Sequence, residues 1–138
     1  MLRRYVDASA LGKLLIDEAE SSAVADLLQD HLDSGGALQS AIFVEAEVRR
    51  IGMRRGIPQS AISELLEVID LFEVDRSMCR TAGLLPPPAL RSLDALHVAA
   101  ALAGGADRFV TYDRRQADAA LAAGIPVESP GAAPAGDG

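Results

Sequence analysis

Arg3-Arg4-Tyr5-Val6-Asp7 runs directly into Ala8-Ser9-Ala10-Leu11. A short β-like run ends on an acid, and a helix near Ser9–Ile16 begins at once. The same arrangement returns late in the chain. Arg108-Phe109-Val110-Thr111 reads as a strand, Tyr112-Asp113 follows, and a helix from Asp113 to Ala123 closes at Gly124. Between these ends the pattern alternates. Val24, Leu27, Leu28 and Leu32 give Ser21–Asp33 a helical spacing. Ser34-Gly35-Gly36 turns into a buried strand over Ala37–Phe43. Glu45–Arg55 is strongly helical until Gly56-Ile57-Pro58 stops it.

A further helix spans Gln59 to Ile69, and Leu71-Phe72-Glu73-Val74 reads as a third strand. Arg76 to Gly83 is helical, Pro86-Pro87-Pro88 is a loop, and Ser92 opens a helix ending at Gly104-Gly105. Pro126-Val127-Glu128 reads as a short edge strand. Strands separated by helices pair in parallel. The expected fold class is therefore α/β, a three-layer α/β/α sandwich with a central parallel sheet of four or five strands. The domain spans residues 1–128. Residues 129–138, rich in Gly, Ala and Pro, read as a disordered tail.

With 138 residues, 49% of them apolar, the chain suits one domain with a sizeable core. Charges interrupt every long apolar stretch, so no membrane span is expected. The acid at position 7 comes too early for a signal-peptide apolar region. Cys79 is the only cysteine, which excludes an internal disulfide and fits a reducing cytoplasm. The net charge of −7 argues against a general nucleic-acid coat protein. Even so, Arg49, Arg50, Arg54 and Arg55 crowd one segment, and Arg114-Arg115 forms another basic pair.

In a parallel sheet the ligand site lies outside the carboxyl ends of the strands. Asp7 and Asp113 follow strands, Asp94 opens a helix, and Glu47 lies in the first turns of the helix after the second strand. Each has an ordinary explanation as a helix cap or a partner of the helix dipole. Their shared sheet edge suggests more. Carboxylates held together repel unless a cation joins them. An all-oxygen donor set suits Mg²⁺ or Mn²⁺ and in-line phosphoryl chemistry. No zinc-type His/Cys spacing, P-loop or G-x-S-x-G elbow offers other chemistry.

Four segments together resemble the PIN-domain family, most closely its VapC-type toxins: Tyr5 to Leu11, Glu47-Val48-Arg49-Arg50, Leu90-Arg91-Ser92-Leu93-Asp94-Ala95-Leu96-His97-Val98-Ala99, and Thr111-Tyr112-Asp113. The likeness runs from about Met1 to Pro130. It implies a cytoplasmic, Mg²⁺- or Mn²⁺-dependent endoribonuclease that cleaves RNA, forms a homodimer and is held inactive by a cognate antitoxin. It also implies that Asp7 and Asp94 are the principal metal ligands, with Glu47 and Asp113 completing the catalytic cluster. Ser9 and Thr111 stand where supporting hydroxyls belong. Two positions depart from the pattern. Ala8 replaces a common Thr or Ser, and Glu45 competes with Glu47, although two residues apart on a helix they face about 200° apart.

Other residues carry plainer expectations. Arg50 and Arg54 could meet phosphate or an acidic partner, whereas Arg49 and Arg55 read as a solvated helix face. Arg91 and Arg114 flank acids and are candidates for phosphate contact. His97, one turn after Asp94, is expected to pack and hydrogen-bond near the site. Cys79 is expected to be buried, and Tyr5 to lie in the core. A receiver-like domain phosphorylated at Asp75 is the alternative from another class, and a catalytically inactive PIN-like interaction domain is a third. A D-x-D phosphatase is disfavoured, because Ser9 stands where its second Asp belongs.

Overall fold

The computed structural model describes residues 1–132. Its elements are β1 (Arg3–Val6), α1 (Ala8–Leu15), α2 (Ser21–Asp33), β2 (Ala37–Ala41), α3 (Val44–Arg55), α4 (Gln59–Glu67), β3 (Asp70–Phe72), α5 (Arg76–Leu84), α6 (Ser92–Ala103), β4 (Arg108–Val110), α7 (Arg114–Ala122) and β5 (Val127–Glu128). The five strands form one parallel sheet in the order β3-β2-β1-β4-β5. Helices cover both faces, so the expected α/β/α sandwich is the fold found.

Strand alternation divides the core between the two faces. Val6 and Val110 point to one side, where they pack with Ala10 and Leu11 of α1, Val24 and Leu28 of α2, Val48 of α3 and Ile62 of α4. Tyr5 and Phe109, the preceding residues on the same two strands, point to the other. There they meet Val98, Ala100 and Ala101 of α6 and Ala119 and Ala120 of α7. Tyr5 stacks on Phe109 with ring centroids 5.0 Å apart. The many alanines of α6 let that helix lie close to the sheet.

Element ends differ from expectation by a residue or two, for local reasons. The second strand stops at Ala41, because Phe43 already takes the helical backbone (φ −71°, ψ −10°) that caps α3, although the Ile42 N–H still bonds the Phe72 carbonyl. α4 stops at Glu67, two residues early. Val68 closes it by bonding back three residues to the Leu65 carbonyl (3.4 Å), which delivers Ile69 to the core from outside the helix. α3 ends on Gly56 with φ of 67°, the left-handed conformation in which glycine carries no Cβ penalty.

The boundary expected at Ser129 falls inside hydrogen-bonded structure. Ser129 Oγ donates to the Thr111 carbonyl (2.6 Å), and Tyr112 Oη donates to the Pro130 carbonyl (2.6 Å). The rest of the expected tail, residues 133–138, lies outside the described residues. Among the described residues no helix is long and apolar enough to cross a membrane.

Leu11 is fully buried between α1 and its neighbours, while Leu121 is 55% exposed. Leu11→Ala should therefore lower unfolding stability by about 2–5 kcal/mol in urea titrations. Leu121→Ala should change it by no more than about 0.5 kcal/mol.

Candidate active site at the sheet's switch point

The strand order reverses direction at β1, whose two neighbours are β2 and β4. That reversal opens a crevice at the carboxyl ends of β1 and β4. Asp7 leaves β1 into it and is only 2% exposed. A buried carboxylate needs donors, and this one has four. Asp7 Oδ1 accepts from Ser9 Oγ (2.7 Å) and from the Ala10 N–H (2.9 Å), the second bond making Asp7 the N-cap of α1. Asp7 Oδ2 accepts from Thr111 Oγ1 (2.5 Å) and Gln116 Nε2 (2.5 Å). Burial still outweighs these bonds and raises the Asp7 carboxyl above its usual range.

The two supporting hydroxyls each work twice. While donating to Asp7, Ser9 Oγ accepts the Tyr112 N–H (2.8 Å) and Thr111 Oγ1 accepts the Asp113 N–H (3.0 Å). The loop carrying Asp113 is thereby fixed to the residue after β1. With all four acceptor positions of Asp7 filled, the hydroxyl missing at Ala8 leaves no gap among them. Gln116 had no sequence signal beyond the D-x-x-Q capping pattern, which governs only local bonds. Its side chain instead crosses from α7 to Asp7. Among the described residues its Oε1 is buried without a hydrogen-bond partner.

Asp113 is exposed and caps α7, accepting the Gln116 N–H (3.1 Å). Asp94 lies half-buried in the first turn of α6. Burial raises its carboxyl above the usual range, and the charges of Asp113 and Glu47 raise it further, while His97 and Arg91 oppose them. Asp94, Asp113 and Glu47 thus share one electrostatic neighbourhood. Among the described residues no three His, Cys, Asp or Glu side chains form a ready-made metal cage.

The two glutamates take different partners. Glu47 Oε1 accepts from His97 Nε2 (2.7 Å), and His97 Nδ1 meets Tyr5 Oη (2.7 Å). Glu45 turns to Arg49 instead, accepting from its Nε (2.8 Å). Arg49 departs from the expected solvated face. Its other nitrogens donate to Gln59 Oε1 (2.9 Å) and Ser63 Oγ (3.0 Å), tying α3 to α4. Arg50, Arg54, Arg55, Arg91 and Arg114 are exposed. Tyr5 is fully buried, and burial lifts its phenol well above the usual range, so it keeps its proton. Cys79, expected inside, is exposed.

The receiver-like arrangement is not formed. Asp75 follows the edge strand β3 and caps α5 by accepting the Met78 N–H (2.9 Å). Lys13, the only lysine in the sequence, is bound to Glu18 and Glu20.

A family model of the PIN domain matches residues 4–121. The chain is 39% identical over 134 residues to ribonuclease VapC35 of Mycobacterium tuberculosis, covering 94% of this chain and 98% of that protein. The fold superposes with a TM-score of 0.69 on the crystal structure of Mycobacterium tuberculosis VapC20, a toxin that cleaves the sarcin–ricin loop. That match has 17% identity and covers 88% of this chain and 95% of the other. VapBC2 from Rickettsia felis, bound to a DNA fragment from its promoter, gives a TM-score of 0.71 at 12% identity, covering 92% of this chain and 98% of that one.

The raised Asp94 carboxyl has a consequence for the metal-free protein. A folded state that binds a proton more readily than the unfolded chain loses stability as pH rises through the folded pKa. Asp94→Asn should therefore melt above the parent at pH 7 in EDTA. The difference should shrink as pH falls through the carboxylate range, where Asp94 gains its proton. Thermal melts between pH 4 and 8 read both.

Proposed function

The chain belongs to the PIN-domain family, and from that premise we propose that it is a divalent-metal-dependent endoribonuclease, the toxin of a toxin–antitoxin pair. The observation that carries this reading is the placement of four acids by the elements around β1 and β4: Asp7 at the end of β1, Asp113 capping α7 after β4, Asp94 in the first turn of α6, and Glu47 in the first turn of α3, joined to α6 through His97 (2.7 Å). Like charges gathered at a crevice favour a cation. The donor set is oxygen throughout, which suits Mg²⁺ or Mn²⁺. Mg²⁺ commonly keeps several waters and needs only one or two carboxylates.

Asp7 and Asp94 would hold the ion, with Glu47 and Asp113 completing the cluster or holding its waters. When bound, such an ion supplies an activated water and stabilises the oxygen that leaves the phosphodiester. The chain's own part is positioning. Ser9, Thr111, Gln116 and the Ala10 N–H fix the Asp7 carboxylate. A cation meeting this filled carboxylate would compete with one of those donors. Gln116 is the natural one to yield, since both hydroxyls also anchor the loop of Asp113. Arg91 and Arg114, exposed beside Asp94 and Asp113, are suited to phosphate on either side of the cut.

The likeness to the VapC20 toxin and to VapBC2 supports a protein antitoxin as partner, and a homodimer is proposed with it. The overall charge of −7 gives the chain little general affinity for nucleic acid. Cutting would then depend on the local fit of RNA at the crevice.

Purified chain, free of its antitoxin, should cleave RNA with Mg²⁺ or Mn²⁺ and stop in EDTA. Asp7→Asn and Asp94→Asn should each reduce the rate at least about 100-fold while remaining folded. Gel analysis of labelled RNA measures this. Undiminished cutting by both variants would sink the site assignment. Glu47→Ala should lose far more activity than Glu45→Ala.

A further inference from the structure

His97 is 2% exposed, yet it is polar at both ends. Its ring sits between two aromatic neighbours. Phe43 meets it at a centroid distance of 4.6 Å and an interplanar angle of 61°, and Tyr5 at 5.7 Å and 78°. These edge contacts hold the plane of the imidazole. The polar atoms around it form one directed chain. Tyr5 Oη accepts the Ala41 N–H (3.0 Å) at the end of β2. The Ser40 hydroxyl donates to the Val6 carbonyl (2.7 Å). A carboxylate can only accept, so the proton between His97 Nε2 and Glu47 Oε1 (2.7 Å) sits on Nε2. In the neutral ring Nδ1 is then the acceptor for the Tyr5 hydroxyl (2.7 Å).

We propose that the Ala41–Tyr5–His97 chain positions the Glu47 carboxylate toward the divalent-cation site, with His97 and Tyr5 as positioning residues. The inference rests on the carboxylate-site reading above and deepens it. Glu47 leaves the first turns of α3 on a flexible three-bond stem, with its side chain 29% exposed. Without a tether it would sample several rotamers, and a cation would have to select among them. A donor fixed on α6, three residues beyond Asp94, sets Glu47 relative to Asp94. The phenol then fixes which imidazole nitrogen is the donor. This is the arrangement by which an outer hydrogen bond orients a metal-binding carboxylate, and losing such a bond typically weakens metal affinity by about 10–100-fold.

The test uses the metal-free full chain and titrates Mn²⁺ alone, followed by water-proton relaxation, with thermal melts beside it. His97→Leu fills the ring's volume without polar atoms and should weaken Mn²⁺ binding by roughly 10-fold or more. His97→Gln restores an N–H within reach of Glu47 and should recover most of the affinity. Tyr5→Phe removes one oxygen and should show a smaller loss in the same direction. Leu11→Ala, destabilised elsewhere in the core, should keep the parent's affinity, which separates positioning from general loosening.

Nitrogen-15 spectra of the parent should show His97 protonated at Nε2 and bare at Nδ1. This readout needs neither metal nor a folded His97→Leu. A proton on Nδ1 instead would overturn the inference. So would equal Mn²⁺ affinity in the parent, Tyr5→Phe and whichever His97 variants fold. A parent that binds no Mn²⁺ would overturn the cation-site reading itself, and the inference with it, a result distinct from variants that bind as the parent does.

Discussion

The Asp7 carboxylate is the constraint around which the crevice is built. A charge 2% exposed would be costly to bury without donors. Its four partners come from three places: the start of α1, the residue after β4, and the first turn of α7. Satisfying one carboxylate therefore fixes β1, β4 and α7 relative to one another where the sheet changes direction. The Ser9 and Thr111 hydroxyls extend the constraint, since each also holds a backbone N–H of the loop leading to Asp113. Removing either hydroxyl leaves both a carboxylate oxygen and an amide short of a partner.

The sheet supplies the second half of the geometry. Because successive residues of β1 point to opposite faces, Tyr5 and Val6 anchor different helical layers while Asp7 emerges at the strand's end. Tyr5 serves both core and site. Its ring stacks on Phe109, and its hydroxyl reaches His97 on α6. Helix α6 can approach because Ala95, Ala99, Ala100 and Ala101 are small and buried. The acids on opposite layers, Glu47 of α3 and Asp94 of α6, are linked through His97 and do not rely on contact with each other.

Much of this was legible along the chain because it is written in local patterns. Strand–acid–helix units at Asp7 and Asp113 gave the parallel sheet and its ligand edge, and helical spacing gave most element bounds within two residues. What escaped depends on tertiary reach. Gln116 announces only a local cap, and nothing in D-x-x-Q says that its amide extends to a residue 109 positions away. Arg49 lies in a charge-rich run that resembles a wet surface, and only the proximity of α4 explains its bonds to Gln59 and Ser63. Cys79 was assigned to the interior by residue type, although α5 buries only Ala82. Glu45 and Glu47 look alike in spacing along the helix, and the partners they take, Arg49 for one and His97 for the other, depend on the fold.

The distance along the chain between Asp7 and its partners also sets an order in time. Asp7 leaves the ribosome before Thr111 and Gln116, which are made more than a hundred residues later. At ordinary rates of protein synthesis that interval is on the order of ten seconds. Throughout it the nascent chain carries an acid that has two of its four donors and none of the loop bearing Asp113. The crevice cannot exist on a partly made chain. A ribosome translating this message therefore carries no assembled carboxylate crevice until its work on the domain is nearly finished.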